Sequence, residues 1–115
     1  MKVRKLNHKT IPAQDQNRAY RFWRDVFDLP QGGSQQDRIL LVDHEELHFV
    51  LADSLPAAPE DDFELLVRDH VAELKKHFKN NFVPILNEEA RYGNKVALTV
   101  KDSEGNTVVV EGNED

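Results

Sequence analysis

Cysteine is absent from these 115 residues. Disulfides, thiolate metal sites and cysteine nucleophiles are therefore excluded, and a reducing cytoplasm is the expected location. Long apolar runs are missing too; none approaches the ~20 residues that span a bilayer, so no membrane partner is expected. The opening, MKVRKLNHKT, is basic but has no apolar segment, so no secretory signal is expected. Positive charge is the scarcer sign. Against 21 acidic residues stand 15 basic ones, a net charge of −6, and this argues against a nucleic-acid partner. There is no glycine-rich phosphate loop, no HExxH, no GxSxG and no CxxC. Ser34, Ser54 and Ser103 have no neighbours that suggest a nucleophile.

What is present is periodic, in a chain of one-domain length. Ala19, Phe22, Trp23, Val26 and Phe27 recur at helical spacing and predict a helix over residues 15–28. Asp15 can cap it, and Pro30 with Gly32-Gly33 closes it. The strand before it, from Leu6, alternates His8 and Thr10 on one side with Lys9 and Ile11 on the other. RILLVD and ELHFVL read as two strands joined at His44-Glu45. SLPAAPE is the best internal linker, at 54–60. The pattern then restarts. DFELLV is a strand, Asp69 caps a second helix over 69–80, and residues 82–86 form a short edge strand interrupted by Pro84. NKVALTVKD and NTVVVEG form a hairpin through Ser103-Glu104-Gly105. The order is strand, helix, strands, repeated. It predicts an α+β domain of two βαβββ halves, 1–53 and 61–115.

The strands sort their side chains. Phe49, Phe63, Leu65, Leu98, Val108 and Val110 fall on the side that should meet the helices. Opposite them fall His8, Thr10, Glu46, His48, Asp62 and Glu64, with Thr99, Thr107 and Glu111. Imidazoles and carboxylates together suit Zn²⁺, Mn²⁺, Fe²⁺ or Ni²⁺. A sheet with one solvated face has the same pattern and needs no metal. His44, His70 and His77 read as surface residues.

The opening NHKTIPAQDQNRAYRFWRDVFDLP resembles the first motif of the vicinal oxygen chelate superfamily, which includes glyoxalase I, extradiol dioxygenases, and fosfomycin and bleomycin resistance proteins. That motif is a histidine strand, an Asp, and a helix with an aromatic pair, here Phe22-Trp23, ending near Phe27-Asp28-Leu29. The closing VKDSEGNTVVVE resembles the family's last hairpin through Asp102, Gly105 and Asn106. The resemblance implies a cupped mixed sheet with helices on its convex side and a small-molecule ligand or substrate in the cup. It implies a homodimer as well.

It also implies ligand positions. His8 matches the first-strand histidine, and Glu46 the fourth-strand glutamate, with His48 two residues on. Asp62 stands where a second histidine is usual, and Val109 where the last-strand glutamate is usual, with Glu111 two residues beyond. The implied metal set is thus His8, Glu46, His48 and Asp62, and it is incomplete. No bound cofactor is the expectation, with a divalent ion (Zn, Ni, Mn or Fe) as the alternative. In a metal-dependent lyase, isomerase or dioxygenase, Glu111 or Glu64 would move a proton. In a non-catalytic binding protein, His8, Thr10, His48, Thr99 and Thr107 would line the ligand. A third reading is an interaction domain, because the tail from Arg91 is loosely similar to the amino-terminal domain of the complement-degrading proteinases.

Overall fold

The computed structural model describes residues 1–33, 38–52 and 63–115. The linker expected at 54–60 and Asp62 lie outside them. The elements, in order, are β1 (Val3–Leu6), β2 (Thr10–Ala13), α1 (Gln16–Val26), β3 (Gln31–Gly32), β4 (Ile39–Val42), β5 (Glu45–Leu51), β6 (Phe63–His70), α2 (Val71–Asn80), β7 (Asn87–Arg91), β8 (Lys95–Lys101) and β9 (Thr107–Asn113).

Two βαβββ units account for all but β1. In the first, the strand order is β2-β5-β4-β3, with β2 parallel to β5. In the second it is β6-β9-β8-β7, with β6 parallel to β9. In each unit the helix follows the first strand and packs on the apolar face of its own sheet. Strand β1 leaves the first unit and pairs antiparallel with β6, so it ties one sheet to the other.

The apolar stripe of α1 is buried as its spacing requires: Ala19 and Trp23 are wholly buried, and Phe27 follows just beyond the helix. Asp15 Oδ1 accepts the Arg18 N–H at 3.0 Å, the expected cap. Trp23 packs edge-on to Phe27 and Phe63, and Phe27 meets Phe78 of α2. Phe49 and Val108 belong to the same core cluster as Trp23, which draws on both units. Leu51 departs from the pattern and is largely exposed at the end of β5.

Three expectations change. The strand expected from Leu6 onward is two strands, because the chain breaks at residues 7–9 as it passes from β6 to β5. Helix α2 begins at Val71, where Glu73 accepts the His70 N–H at 3.1 Å. Asp69, expected as the cap, instead accepts the Lys2 N–H at 2.7 Å. The edge strand lies at Asn87–Arg91 rather than at 82–86. Val83 and Ile85 turn to the core, and the Leu86 N–H starts the pairing on Thr99 O at 2.8 Å, which leaves Pro84 outside the ladder. Strand β7, NEEAR, has no apolar alternation to announce it; charged residues on an exposed edge discourage pairing with other chains.

Gly112 marks a close approach of β9 to α2. A methyl group there would lie 2.6 Å from Leu74 Cδ1 and 2.8 Å from the Asp69 carbonyl oxygen. The carbonyl cannot yield without moving the start of α2. Gly112→Ala is therefore expected to destabilise by about 1–3 kcal/mol, read as a lower urea midpoint with unchanged slope. An unchanged midpoint would refute this packing.

Candidate functional site

On the open face of the second sheet an ion pair spans the second unit. Arg91 Nη1 on β7 reaches Glu64 Oε1 on β6 at 3.1 Å, across two intervening strands. In a flat sheet those strands would stand roughly 14 Å apart, at ~4.8 Å per strand. The two long side chains bridge that gap across the open face. Ala97 and Val109 are buried on the same face. Thr99 stands opposite Val109 in register, and Glu111 lies between Leu66 and Ala97. The Glu111 carboxylate has no partner among the described residues. The Thr107 hydroxyl takes a hydrogen bond from Lys101 Nζ at 2.7 Å.

On the first sheet, Thr10 is paired in register with His48, and His48 Nε2 lies 3.8 Å from Glu46 Oε1, both side chains half exposed. His8 is elsewhere. From Leu6 to Ile11, both on the core side, is an odd step, so the break at 7–9 shifts the alternation by one residue. His8 lies in that break, outside any strand, and lines the groove described below. Its ring meets Phe63 edge-on at 4.7 Å, and its Nε2 is buried with no hydrogen-bond partner among the described residues. The structure thus brings Thr10, Glu46 and His48 together on one sheet, and Glu64, Thr99, Thr107 and Glu111 onto the other, with His8 at the seam.

A split in the sheets opens at that seam. The bond from His48 N–H to Lys9 O, at 3.0 Å, is where β5 first meets the strand before α1. Residues 45–47 of β5 have β4 on one side and no ladder partner on the other, because β1 has gone to β6. The split is a groove of about 530 Å³. One side, from β1 with the residues that flank it and from β6, carries Lys2, Arg4, Lys5, Lys9 and Arg68. The other, from the β4–β5 hairpin, carries Asp43, Glu45 and Glu46. No ion pair among the described residues crosses it. Sequence reasoning misses this cationic wall: its one signal is the basic run at residues 2–9, which does not by itself show that Arg68 joins it.

A divalent ion fits these residues poorly within one chain. The orphaned Nε2 of His8 has the chemistry of a ligand, and Glu46 lines the same groove, but His48 does not. Among the described residues no three of His, Cys, Asp and Glu are grouped to hold a metal.

Two βαβββ units, each with its first strand parallel to its last and its helix on the apolar face, make this the vicinal oxygen chelate fold. No protein-family model and no curated protein matches the sequence. Among solved structures the chain is similar to FosX, a genomically encoded fosfomycin resistance protein from Listeria monocytogenes. Identity is 17% and the TM-score 0.72, over 95% of this chain and 93% of that one. Another FosX structure holds Mn(II) and 1S,2S-dihydroxypropylphosphonic acid. The chain is also similar to a lactoylglutathione lyase from Agrobacterium tumefaciens, at 21% identity and a TM-score of 0.66, over 90% and 89%. An integron cassette protein from the mobile metagenome of V. cholerae gives 15% identity and 0.71 over 97% of both chains. At such identities the likeness establishes the fold. No helix among the described residues is long and apolar enough to cross a membrane.

Proposed function

We propose that this chain is a small-molecule binding protein that takes its ligand on the polar side of the sheets, at the seam between the two units. The observation that carries this reading is the groove of about 530 Å³, whose charged walls have no partners across it. That volume is in the range of small-molecule sites. Thr10 and His48 stand beside the seam and Thr99 lies on the open face of the second sheet, where hydroxyl and imidazole groups could fix a polar ligand. Thr107 contributes less, because Lys101 already occupies its hydroxyl. The cytoplasm suits a cysteine-free chain of this kind. A homodimer is part of the proposal: Phe82, Leu86 and Tyr92 are exposed around β7, where a second copy would cover them, and sedimentation reads the outcome.

One observation favours a metal-dependent enzyme instead, the buried and unpartnered Nε2 of His8. In that reading His8, Glu46, His48 and Asp62 supply the ligands. Glu111, with its carboxylate free, carries the proton more readily than Glu64, which Arg91 engages. Calorimetric titration with Zn²⁺, Ni²⁺ and Mn²⁺ separates the two. The binding-protein reading expects no stoichiometric sub-micromolar uptake. Such uptake, lost in His8→Ala, would replace it with the enzyme.

A further inference from the structure

The groove gathers five of the chain's 15 basic residues, Lys2, Arg4, Lys5, Lys9 and Arg68. None of these five side chains has a hydrogen bond or an ion pair among the described residues. Elsewhere in the molecule several cations are engaged, Arg18 by Glu104, Arg24 by Asp25, Lys75 by Glu88 and Arg91 by Glu64, while Arg21, Lys76 and Lys79 stand without such partners among the described residues. The groove's charged lining, five cations against Asp43, Glu45 and Glu46, is net positive, in a chain whose net charge is −6. Like charges ~7 Å apart repel by about 0.6 kcal/mol per pair even in water. Clustered and unpaired cations therefore work against folding, and a cleft of one sign concentrates ions of the other.

We propose that this groove binds a small multivalent anion of the phosphate or carboxylate class, with Lys2, Lys5, Lys9 and Arg68 as its counter-charges. The acidic hairpin wall faces the remainder of the molecule and favours one that carries hydrogen-bond donors or a positive group there. The proposal rests on the reading of the chain as a small-molecule binder and adds the charge of the ligand. Guanidinium and ammonium groups serve differently. Arg68 can grip two oxygens at once, whereas the lysines act as point charges. All five side chains are exposed, so removing them leaves the core untouched.

The test is a titration of the full chain with inorganic phosphate and with citrate, followed by amide shifts, with sodium chloride at matched ionic strength as control. Saturable shifts confined to residues 2–9, 43–47 and 66–68, absent with chloride, are expected. The double variant Lys5→Ala, Arg68→Ala should weaken binding about tenfold while keeping the wild-type amide pattern elsewhere. Equal shifts with chloride, or shifts centred on Lys75, Lys76 and Lys79 of α2, would overturn the proposal. So would a double variant that binds as well as the wild type. A parallel panel of neutral and cationic small molecules distinguishes the two levels. A neutral or cationic binder at the same residues, with phosphate and citrate silent, overturns the charge assignment and keeps the binding-protein reading. Silence from every compound overturns both.

Discussion

Replacing Glu104 with glutamine is expected to lower the stability of this protein by about 2–3 kcal/mol at neutral pH and to flatten its acid limb. Glu104 sits in the β8–β9 turn, yet it is buried. Its Oε1 accepts the N–H groups of Gln14 and Asp15 at 3.0 and 2.9 Å. Both carboxylate oxygens take the Arg18 guanidinium, at 2.7 and 3.1 Å, and Oε2 also takes the Ser103 hydroxyl at 2.9 Å. The Arg18 hydrogen bonds above all pull the carboxyl pKa down from 4.5 to about 2; burial opposes them, and the Asp15 N–H and Ser103 hydroxyl assist. A carboxyl group with a depressed folded-state pKa stabilises the fold fully above its unfolded value. That contribution disappears as pH falls through the folded value, here between about 4.5 and about 2. At ~1.4 kcal/mol per pKa unit the whole effect is roughly 3 kcal/mol, and solvent screening of the half-exposed Arg18 brings it toward 2. Urea unfolding at pH 7, 4 and 2.5 reads it. Wild type and Glu104→Gln should differ most at pH 7 and converge near pH 2. Parallel curves over that range would show that the contact contributes no linkage.

Asp102→Ala is expected to cost more, about 4 kcal/mol. This buried carboxylate accepts from four donors: Trp23 Nε1 at 3.1 Å, Glu104 N at 2.9 Å, and Asn106 N and Nδ2, both at 2.8 Å. Asn106 Nδ2 also donates to Pro12 O at 3.0 Å, on β2 of the first unit. Removing the acceptor strands buried donors at roughly 1–3 kcal/mol each, only partly additively. It also releases the turn that presents Glu104. Trp23 is the only tryptophan, so its fluorescence reports the site directly. A red-shifted emission maximum and a midpoint loss of this size should appear together. A variant within ~1 kcal/mol of wild type, its emission unmoved, would mean the turn does not latch the two units.

These two residues show what a motif can conceal. Asp102, Gly105 and Asn106 drew attention as part of a family hairpin, and a hairpin they are. Their work here is to hold α1 of the first unit against the last turn of the second. Glu104, between them, carried no sequence signal beyond turn composition. The candidate site was legible in the same uneven way. Glu46 and His48 share a strand and were placed side by side by simple alternation. His8 was assigned to the face of Thr10 by the same rule, which holds only while a strand is unbroken.

The sequence by itself determined the two helices, most of the strands, the apolar faces and the repeated order of the halves. Those follow from periods of 3.6 and 2 residues, which are local and survive without knowledge of any distant contact. Tertiary structure alone decided the break between β1 and β2, the place of β7, the groove and the Glu104 latch. Each depends on groups far apart in the chain: the Arg18–Glu104 contact spans 86 residues, Trp23–Asp102 spans 79, and Asn7–Glu64 spans 57. The break itself arises because residues 3–6 gain a ladder on β6 while residues 10–13 gain theirs on β5. One strand cannot follow both sheets, so the chain turns at 7–9, His8 falls in the turn, and the cationic wall is left facing an open groove.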